Sequence, residues 1–509
     1  MNRIFTIMVM VFALVANAQT VNIEGDPYGG NPYTTITDAV NAATDGDVIL
    51  ISGIHTEIVS FGKSITLRGS DPTTDIIQAA TSPSSDASGE SVVRVIREND
   101  NDVLNVTIEN LGIRYGNANN NNGGGIEADK VTGLITLNNL IVEENSTNRN
   151  GGGIGIAGSN AEIINCTIRN NNCSLDGGGI IFAPNNGSGI NSVIDVKQTL
   201  IDNNISRNGG GIYINGNNNF GNDYTIDVNV ENSTISNNDT FSPNGGAGGG
   251  AIWCKGAVWT TNEGGTGNSG NITLQLVHAS VYNNSHGSAI KNGIQFTGPT
   301  NGETNFSAYN SIVVTADAPA QKALNFVNTN TTDVVNCILG GLENAGSLLP
   351  LLDDPSKNNV RGKTATFAGI TTGLTDQGGS TQVLAIDENS NSDDYCTAAT
   401  PVSLPSIDQR GYLREGTADA GAFEFGGVLS TNDISAPEFN VYPNPATEIL
   451  HIDGMNNTVK QVEFYSVLGQ LKKQSFDTSI NISDLSSGIY LIKITTTDQQ
   501  NMTKRIIIN

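Results

Sequence analysis

The sequence predicts an all-β protein in which a parallel β-helix, a coil of short stacked strands, fills most of the 509 residues. Two repeated motifs support this fold class. Three glycines followed by Ile or Ala-Ile begin at positions 123, 151, 177, 209 and 248. A second, mostly amide position keeps step with them: Asn110, Asn139, Asn165, Gln198, Asn232, His278, Asn310 and Asn336. Intervals of 28, 26, 32 and 39 residues between the triplets are typical of a solenoid.

The apolar pattern around the amide position predicts two strands that meet at a corner. Residues two and four before it are mostly apolar, as Val228 and Val230 are before Asn232. After it the apolar positions are one and three, as in Ala279 and Val281. Alternation with period 2 indicates strands, and the change of phase requires a bend at the amide. The segment after each glycine triplet supplies a third strand, so we expect three strands per coil and a stacked, structural amide column.

The N-terminus predicts export and then a cap for the coil. Arg3 and the apolar run Ile4–Val15 precede a small-residue cleavage site, so residues 1–18 are interpreted as a signal peptide. The run is too short to span a bilayer, and we expect no transmembrane segment in the mature chain. An N-terminal helix is expected to cover the open end of the core, because four apolar residues share one helical face. They are Ile36, Ala39, Val40 and Ala43.

Residues 20–345 resemble the right-handed β-helix, pectin-lyase-like superfamily. The glycine triplets and the segments "NCTIRNN" and "NSTISNN" are similar to polymorphic outer-membrane-protein repeats. The resemblance implies a right-handed, single-stranded parallel β-helix over residues 19–345. Residues 346–425 are expected to form its last coils and cap, since "LTDQGGSTQVL" and "DQRGYLREGTADAGAFEF" resemble the closing segment of choice-of-anchor Q proteins.

The C-terminal 69 residues, 441–509, follow a linker at 426–440 and resemble the type A sorting domain of type IX secretion. The similarity lies in Tyr442–Pro445, in Leu468-Gly-Gln470 and in Leu485–Tyr490 with Gly488. It implies a small immunoglobulin-like β-sandwich whose partner is the type IX secretion machinery. The expected location is extracellular or on the outer-membrane surface of a Gram-negative bacterium.

Composition narrows the choice of partners. The formal charge of −25 makes nucleic acid an unsuitable partner. An acidic polysaccharide would require a local basic patch or bridging cations. The five cysteines are an odd number, so at least one is unpaired within the monomer, and disulfides are not the scaffold.

The strand after each triplet is the predicted ligand-binding face. Its outward positions are read as Glu127, Gly155, Ile181, Tyr213, Trp253 and Lys291, with no acidic pair and no arginine. Tyr213 and Trp253 are expected about 4.8 Å apart on neighbouring coils, where flat rings suit sugars. Together with Lys255, Trp259 and Lys291 they form the predicted glycan-binding set. The alternative is that Trp259 merely covers Trp253.

Two polar clusters have competing interpretations. Asp387, Asn389, Asn391 and Asp393 have the alternating spacing of a calcium loop, but Ser392 and Ala398 replace its glycine and its final glutamate. A solvated acidic turn is the favoured alternative. Asp408, Arg410, Arg414, Asp419 and Glu424 are interpreted as an ion-pair network of the terminal cap rather than a catalytic cluster.

The sequence therefore favours an exported surface protein that binds extracellular polysaccharide or another cell surface, as an adhesin does, without catalysis. No catalytic residues are assigned. The alternative is a polysaccharide lyase or glycoside hydrolase on the same fold, which would need carboxylates converging with Arg or Lys in one groove.

Overall fold

A computed structural model describes most of the chain after the segment predicted to be the signal peptide. The described residues are 19–24, 33–83, 89–97, 102–184, 191–216, 224–241, 248–256, 271–286, 293–297, 304–316, 322–327, 329–346, 348–371, 373–429, 439–442, 446–454, 459–466, 471–496 and 501–508. The chain divides into two compact units, residues 1–429 and residues 430–509. The predicted signal peptide, 1–18, lies outside the described residues.

The first unit is a parallel β-helix, as predicted, with four sheets of stacked strands among its described residues and one short antiparallel pair, Tyr412–Leu413 with Val428–Leu429. Sheet A contains Thr20–Ile23, Val48–Ser52, Thr66–Arg68, Val106–Glu109, Leu134–Asn138, Asn160–Ile164, Ser192–Lys197, Thr225–Glu231, Asn271–Val277, Thr304–Tyr309 and Asn330–Val335. Sheet B contains Ile54–Thr56, Ile76–Gln78, Gly112–Arg114, Ile141–Glu143, Thr167–Arg169, Leu200–Asp202, Thr234–Ser236, Ser280–Tyr282, Ile312–Val314 and Ile338–Leu339. All these strands pair in parallel except Thr20–Ile23, which is antiparallel to Val48–Ser52.

The strand after each glycine triplet belongs to sheet C. Its members are Val59–Phe61, Val93–Ile96, Ile126–Asp129, Ile154–Ala157, Ile180–Ala183, Ile212–Gly216, Ile252–Gly256, Ile294–Thr297, Lys322–Val327 and Gly341–Glu343. Sheet D, which the sequence did not predict, contains Asn117–Ala118, Ser146–Thr147, Asn172–Cys173, Ile205–Ser206, Asp239–Thr240 and Ser285–His286. Two-residue strands show too little apolar alternation to be detected from the sequence.

Apolar side chains from sheets A, B and C fill one continuous core. Helix α1, Ile36–Ala42, covers its N-terminal end as predicted, with Ile36 and Ala39 fully buried and Thr35 as N-cap. At the other end, helix α2, Leu349–Leu352, contributes Leu352 to the same core. A 3-10 turn, Pro355–Lys357, follows it. Neither described α-helix has the length or the apolar run needed to cross a bilayer.

Each position of the amide column bends the chain with a left-handed backbone conformation. All eight residues have φ between +44° and +56°. Asn tolerates this region better than most residues do, which explains its dominance in the column. Neighbouring amides also hydrogen-bond along the stack: Asn139 donates to Asn110 at 2.9 Å and Asn336 donates to Asn310 at 2.9 Å. The predicted structural column is present.

A second asparagine ladder lies inside the coil, six residues after the column. Its members are Asn145, Asn171, Asn204, Asn238 and Asn284. Each of the first four donates from Nδ2 to the Oδ1 of the next, at 2.9–3.1 Å. Each also donates to a backbone carbonyl, as Asn204 does to Ile168 at 2.9 Å. The ladder satisfies backbone polar groups where sheet B gives way to sheet D.

Of the segment predicted to form the last coils and cap, helix α2 packs on the end of the core, whereas residues 364–425 lie along the side of the coil. They lie along the amide column, where Asn232 donates to Ile407 O and Asn336 donates to Ala398 O, both at 2.8 Å. Their apolar residues, including Val383 and Phe423, pack on Ile312 and other residues of sheet B. We call residues 364–425 the brace. Its position follows from the outward residues of the late coils, which are apolar and need cover.

The second unit contains two antiparallel sheets, as predicted. One contains Phe439–Tyr442, Ile449–Gly454 and Ser479–Asn481. The other contains Val459–Ser466, Leu471–Ser475, Gly488–Thr496 and Asn501–Ile508. Buried residues of both sheets form one core, separate from that of the β-helix. This two-sheet arrangement is the predicted small β-sandwich.

Candidate functional site

On the outer face of sheet C, residues from seven successive coils are aligned in a column. Strand pairing aligns Arg94, Glu127, Gly155, Ile181, Tyr213, Trp253 and Gln295 in one column. A parallel column two residues further on includes Asp129, Ala157 and Ala183, then Asn215, Lys255 and Thr297. The predicted register is correct from Glu127 to Trp253 but fails on the next coil. There Gln295 takes the place assigned to Lys291, which lies outside the described residues.

Tyr213 and Trp253 are neighbours, as predicted, but they are not an exposed platform. Their ring centroids are 5.0 Å apart with an interplanar angle of 27°. They are only 3% and 6% exposed and pack with Ile181 into a small cluster. Flat rings at this depth form the floor of a surface rather than a face on which a sugar can stack.

Polar groups hold the aromatic pair in place. The indole of Trp253 donates to Thr297 Oγ1 at 3.2 Å, and the hydroxyl of Tyr213 donates to Asn215 Oδ1 at 3.2 Å. Lys255 places its ammonium 5.1 Å from the centre of the Trp253 ring, a cation–π contact. Trp259 lies outside the described residues. Of the predicted glycan-binding residues, the described ones are thus Tyr213, Trp253 and Lys255. Tyr213 and Lys255 each contact Trp253.

A cavity of about 340 Å³ opens on the same face, beside this apolar strip. We call it the polar pocket. Its floor and rim are formed by Asn122, Asp129, Lys130, Arg149, Asn150, Ala157, Ile181, Ala183, Pro184 and Asn215. Ile181 belongs both to the pocket and to the aromatic cluster, so the two are continuous. Six of the ten lining residues are polar or charged, so the pocket offers mainly hydrogen-bonding groups.

Glycines allow the loops between coils to pack closely against sheet C. The first glycine of four triplets has a positive φ between +64° and +86°, which other residues resist. At Gly155, a Cβ atom would lie 2.6–2.8 Å from the backbone of Asn122 and Gly123. The loop that ends in Asn122 therefore rests on the sheet because residue 155 has no side chain. The repeated triplets build the corner, and the asparagines before two of them, Asn122 and Asn150, line the pocket.

Two carboxyl groups lie at the N-terminal end of the pocket on the strand Ile126–Asp129. Glu127 accepts a hydrogen bond from Arg94 Nε at 2.8 Å and is 8% exposed. Burial raises the pKa of Glu127, and Arg94 opposes the shift. Burial also raises the pKa of Asp129, against the nearby positive charges of Lys130, Arg97 and Arg94. The combination of Arg94, Glu127 and Asp129 corrects the expectation that this face lacks arginine and paired acids.

The wall of the pocket is a third polar ladder, formed by the residue before each glycine triplet. Asn150 donates to Asn122 Oδ1 at 3.0 Å and accepts from the backbone N–H of Asp176 at 3.1 Å. Asp176 binds Arg207 through two hydrogen bonds of 3.1 Å. The ladder fixes the loops between successive coils, so the pocket is preformed.

The proposed calcium loop is a hydrogen-bonded turn. Asp393 accepts from the backbone of Asn389 at 2.7 Å, and Asp387 accepts from Thr371 at 3.0 Å. Asn391 donates to Phe367 O at 3.0 Å. These bonds direct the polar groups to the chain itself. Among the described residues, no group of three His, Cys, Asp or Glu side chains is arranged to hold a metal ion.

The five charged residues at 408–424 form a buried network inside the brace. Arg410 pairs with Asp408 at 2.6 Å and Arg414 pairs with Glu424 at 3.0 Å, all four at most 6% exposed. Arg414 also donates to Asn232 Oδ1 at 3.0 Å, linking the network to the coil. Burial raises the pKa of Asp419 to about 7. The predicted ion pairs are present, but they anchor the brace to the side of the coil and face no open cleft.

The fold and this face define an exported parallel β-helix protein with a preformed surface pocket. Residues 440–509 match the family described as "Secretion system C-terminal sorting domain", and this type IX sorting domain directs export to the cell surface or secretion in Gram-negative bacteria. Among solved structures, the crystal structure of pectate lyase Pel9A is similar over 76% of this chain and 90% of that one, with 13% identity and a TM-score of 0.34. At that TM-score the similarity carries no argument about activity. The comparison with curated proteins found no match.

Sequence reasoning missed four residues of the site: Arg94, Asp129, Lys130 and Arg149. Arg94 lies in the alternation Val93-Arg94-Val95, but that coil has no glycine triplet to set its register. Asp129 could have been found by extending the outward positions two residues beyond Glu127. Lys130 and Arg149 lie in turns, where there is no apolar alternation to reveal them.

Proposed function

We propose that this protein is an exported cell-surface or secreted protein that binds extracellular polysaccharide on the outer face of sheet C, without catalysis. The observation that carries the proposal is the polar pocket, whose lining combines amide and charged side chains with the small apolar side chains of Ala157 and Ala183. Sugar rings present apolar C–H faces and polar edges, and this surface offers a partner for each.

The geometry suits a chain-like ligand better than a compact one. Columns of outward side chains repeat with each coil, so a polymer can run along the stack and meet one row after another. The pocket gives such a polymer one place where a single residue is enclosed. Asn122, Asn150 and Asn215 supply amide donors and acceptors at its rim.

The test is co-sedimentation of the exported chain with a panel of insoluble or gelled neutral and acidic polysaccharides. A binder from that panel is then tested against Ala157→Trp, which fills the pocket from its floor. Thr136→Trp, at an outward position on sheet A, adds the same bulk elsewhere. We expect Ala157→Trp to lose binding and Thr136→Trp to retain it. Equal binding by both variants, or no binder in the panel, would overturn the proposal.

A second candidate function, a glycoside hydrolase or polysaccharide lyase, is favoured by one observation. Glu127 and Asp129 both have raised pKa values and lie two residues apart on one face of a strand, beside Arg94. A carboxyl group with a raised pKa is suited to general acid catalysis. Release of reducing ends or unsaturated sugars by the wild-type chain but not by Asp129→Asn would establish catalysis and replace the binding-only proposal.

A further inference from the structure

We infer that Arg149 and Lys130 form an anion-binding subsite in the polar pocket, which holds an acidic substituent of the polysaccharide by direct ion pairing. The inference rests on the proposed function and specifies the ligand class. A chain with a formal charge of −25 repels anionic polymers in general, so binding one requires a local reversal of sign. The charged side chains that line the pocket are Asp129, Lys130 and Arg149, which sum to +1.

The position of Arg149 recurs in the next two coils. The two arginines at this position, Arg149 and Arg207, differ in whether a carboxylate pairs with them. Arg149, Leu175 and Arg207 each lie two residues before a glycine triplet and are joined by backbone hydrogen bonds of 3.0 and 2.7 Å. Arg207 is neutralised by Asp176, the residue before the triplet of the preceding coil. The corresponding residue for Arg149 is Asn122, which carries no charge.

The guanidinium of Arg149 is therefore available to bind an anion, whereas that of Arg207 is already paired with Asp176. Among the described residues, neither Arg149 nor Lys130 takes part in an ion pair, and both are exposed at the rim. Lys130 lies next to the carboxylate of Asp129, which partly balances its charge. The planar guanidinium of Arg149 can donate two parallel hydrogen bonds to a carboxylate or sulfate.

The size of the pocket limits what can reach these groups. A cavity of about 340 Å³ is near the lower end for ligand sites, so it can enclose one sugar residue and its substituent. Ala157 and Ala183 offer apolar contacts to the ring, while Arg149 and Lys130 face the charged group. Direct pairing needs no bridging cation.

The test measures equilibrium binding of the full exported chain to two matched pairs of polymers. Alginate and carboxyl-reduced alginate vary the carboxylate, and dextran sulfate and dextran vary the sulfate ester. We expect an acidic polymer to bind at least about tenfold more tightly than its neutral counterpart, because hydrogen bonds to a charged group are stronger than those to a neutral one. Binding should be unchanged by EDTA.

Two variants locate the effect. Arg149→Gln removes the guanidinium, and Asn122→Asp gives Arg149 the carboxylate that Arg207 already has. Both should reduce acidic-polymer binding about tenfold. Arg361→Gln is the control, because Arg361 is an exposed arginine paired with Asp353 on another part of the coil.

The outcomes separate this inference from the proposed function. Equal affinity for acidic and neutral polymers, or an Arg149→Gln variant that binds like Arg361→Gln, would overturn the anion subsite and leave polysaccharide binding intact. Loss of binding in EDTA would also overturn direct pairing. Absence of binding to all four polymers, together with the wider panel, would overturn both.

Discussion

At the scale of single residues, the repeated asparagines serve backbone geometry first and hydrogen bonding second. Asn165 shows the distinction. Its φ is +56°, within the range of the column, yet its side chain makes no hydrogen bond to another described residue. The column could be predicted from the sequence because Asn recurred where the strand phase changed. Its left-handed conformation follows from the same residue preference.

Substitutions at Asn165 test whether its backbone conformation matters more than hydrogen bonding by its side chain. Asn165→Gly should change the free energy of unfolding by less than about 1 kcal/mol, because glycine adopts positive φ freely. Asn165→Val should destabilise by about 1–3 kcal/mol, because a β-branched residue is strained there. Urea unfolding measures both. If the two variants were equally destabilised, the side-chain amide would matter more than the backbone.

Asp129 gives the pocket a predictable pH dependence. Its pKa is raised by burial, with Lys130, Arg97 and Arg94 as the opposing positive charges and Glu127 as the neighbouring acid. As the pH falls through that raised pKa, the carboxylate takes up a proton and the pocket charge rises from +1 to +2. Binding of dextran sulfate, whose sulfates stay ionised, should therefore strengthen on acidification.

Asp129→Asn isolates this effect. The variant should bind dextran sulfate more tightly than the wild type at neutral pH, and its affinity should vary less as the pH is lowered. Titration calorimetry from pH 5 to pH 8 measures both curves. A wild-type affinity that weakens on acidification would contradict the assigned charge of the pocket.

At the scale of the elements, the internal asparagine ladder supports the transition between sheets B and D. Asn204 is fully buried, accepts from the side chain and backbone of Asn171, and donates to Asn238 and to Ile168 O. The sequence shows these asparagines plainly, six residues after the column. They were not recognised because a buried polar position interrupts the apolar alternation used to find strands.

Removing one member of the ladder should be costly. Asn204→Ala removes the oxygen that accepts the backbone N–H of Asn171 and the side-chain donor to the carbonyl of Ile168, and we expect a loss of about 2–4 kcal/mol in urea unfolding. Asn203→Gly, next to it, keeps the positive φ and gives up one exposed amide contact to Asn170. That control should change stability by less than about 1 kcal/mol. Similar losses in both variants would contradict a special role for the internal ladder.

The brace was predicted to cover the end of the coil and lies along its side instead. The residues of its ion-pair network were predicted correctly. The signal was present in sheet B, where the outward residues are charged in early coils, such as Arg169, and apolar in late ones, such as Val314. A solenoid face that becomes apolar needs cover along its side. Chain order alone suggested an end cap, because the segment follows the last coil.

The ion pairs of the brace should differ sharply from surface ones. Arg414→Met leaves Glu424 buried without its guanidinium, and we expect a loss of about 3–5 kcal/mol. Arg361→Met breaks an exposed pair with Asp353 and should cost at most about 1 kcal/mol. Hydrogen exchange at residues 394–425 should rise only in the first variant. An Arg414→Met protein as stable as Arg361→Met would show that the network does not hold the brace.

At the scale of the whole molecule, repetition made the fold predictable and left the site largely unpredicted. Strand positions, the capping helix and the C-terminal sandwich follow from periodicity and from motifs that recur or match as units. The pocket depends instead on turns such as Lys130 and Arg149, and on one coil that lacks the triplet. Residues of this kind distinguish one coil surface from another, and no apolar alternation in the sequence reveals them.

The central claim is that polysaccharide binds on the outer face of sheet C, at the polar pocket. Hydroxyl-radical footprinting of the full exported chain, with and without a bound polymer, tests it most directly. We expect oxidation of Lys130 and Arg149 to fall on binding, while Val193, 49% exposed on the outer face of sheet A, is unchanged. Protection of Val193 with Lys130 and Arg149 unaffected would place the ligand on the wrong face and contradict the account.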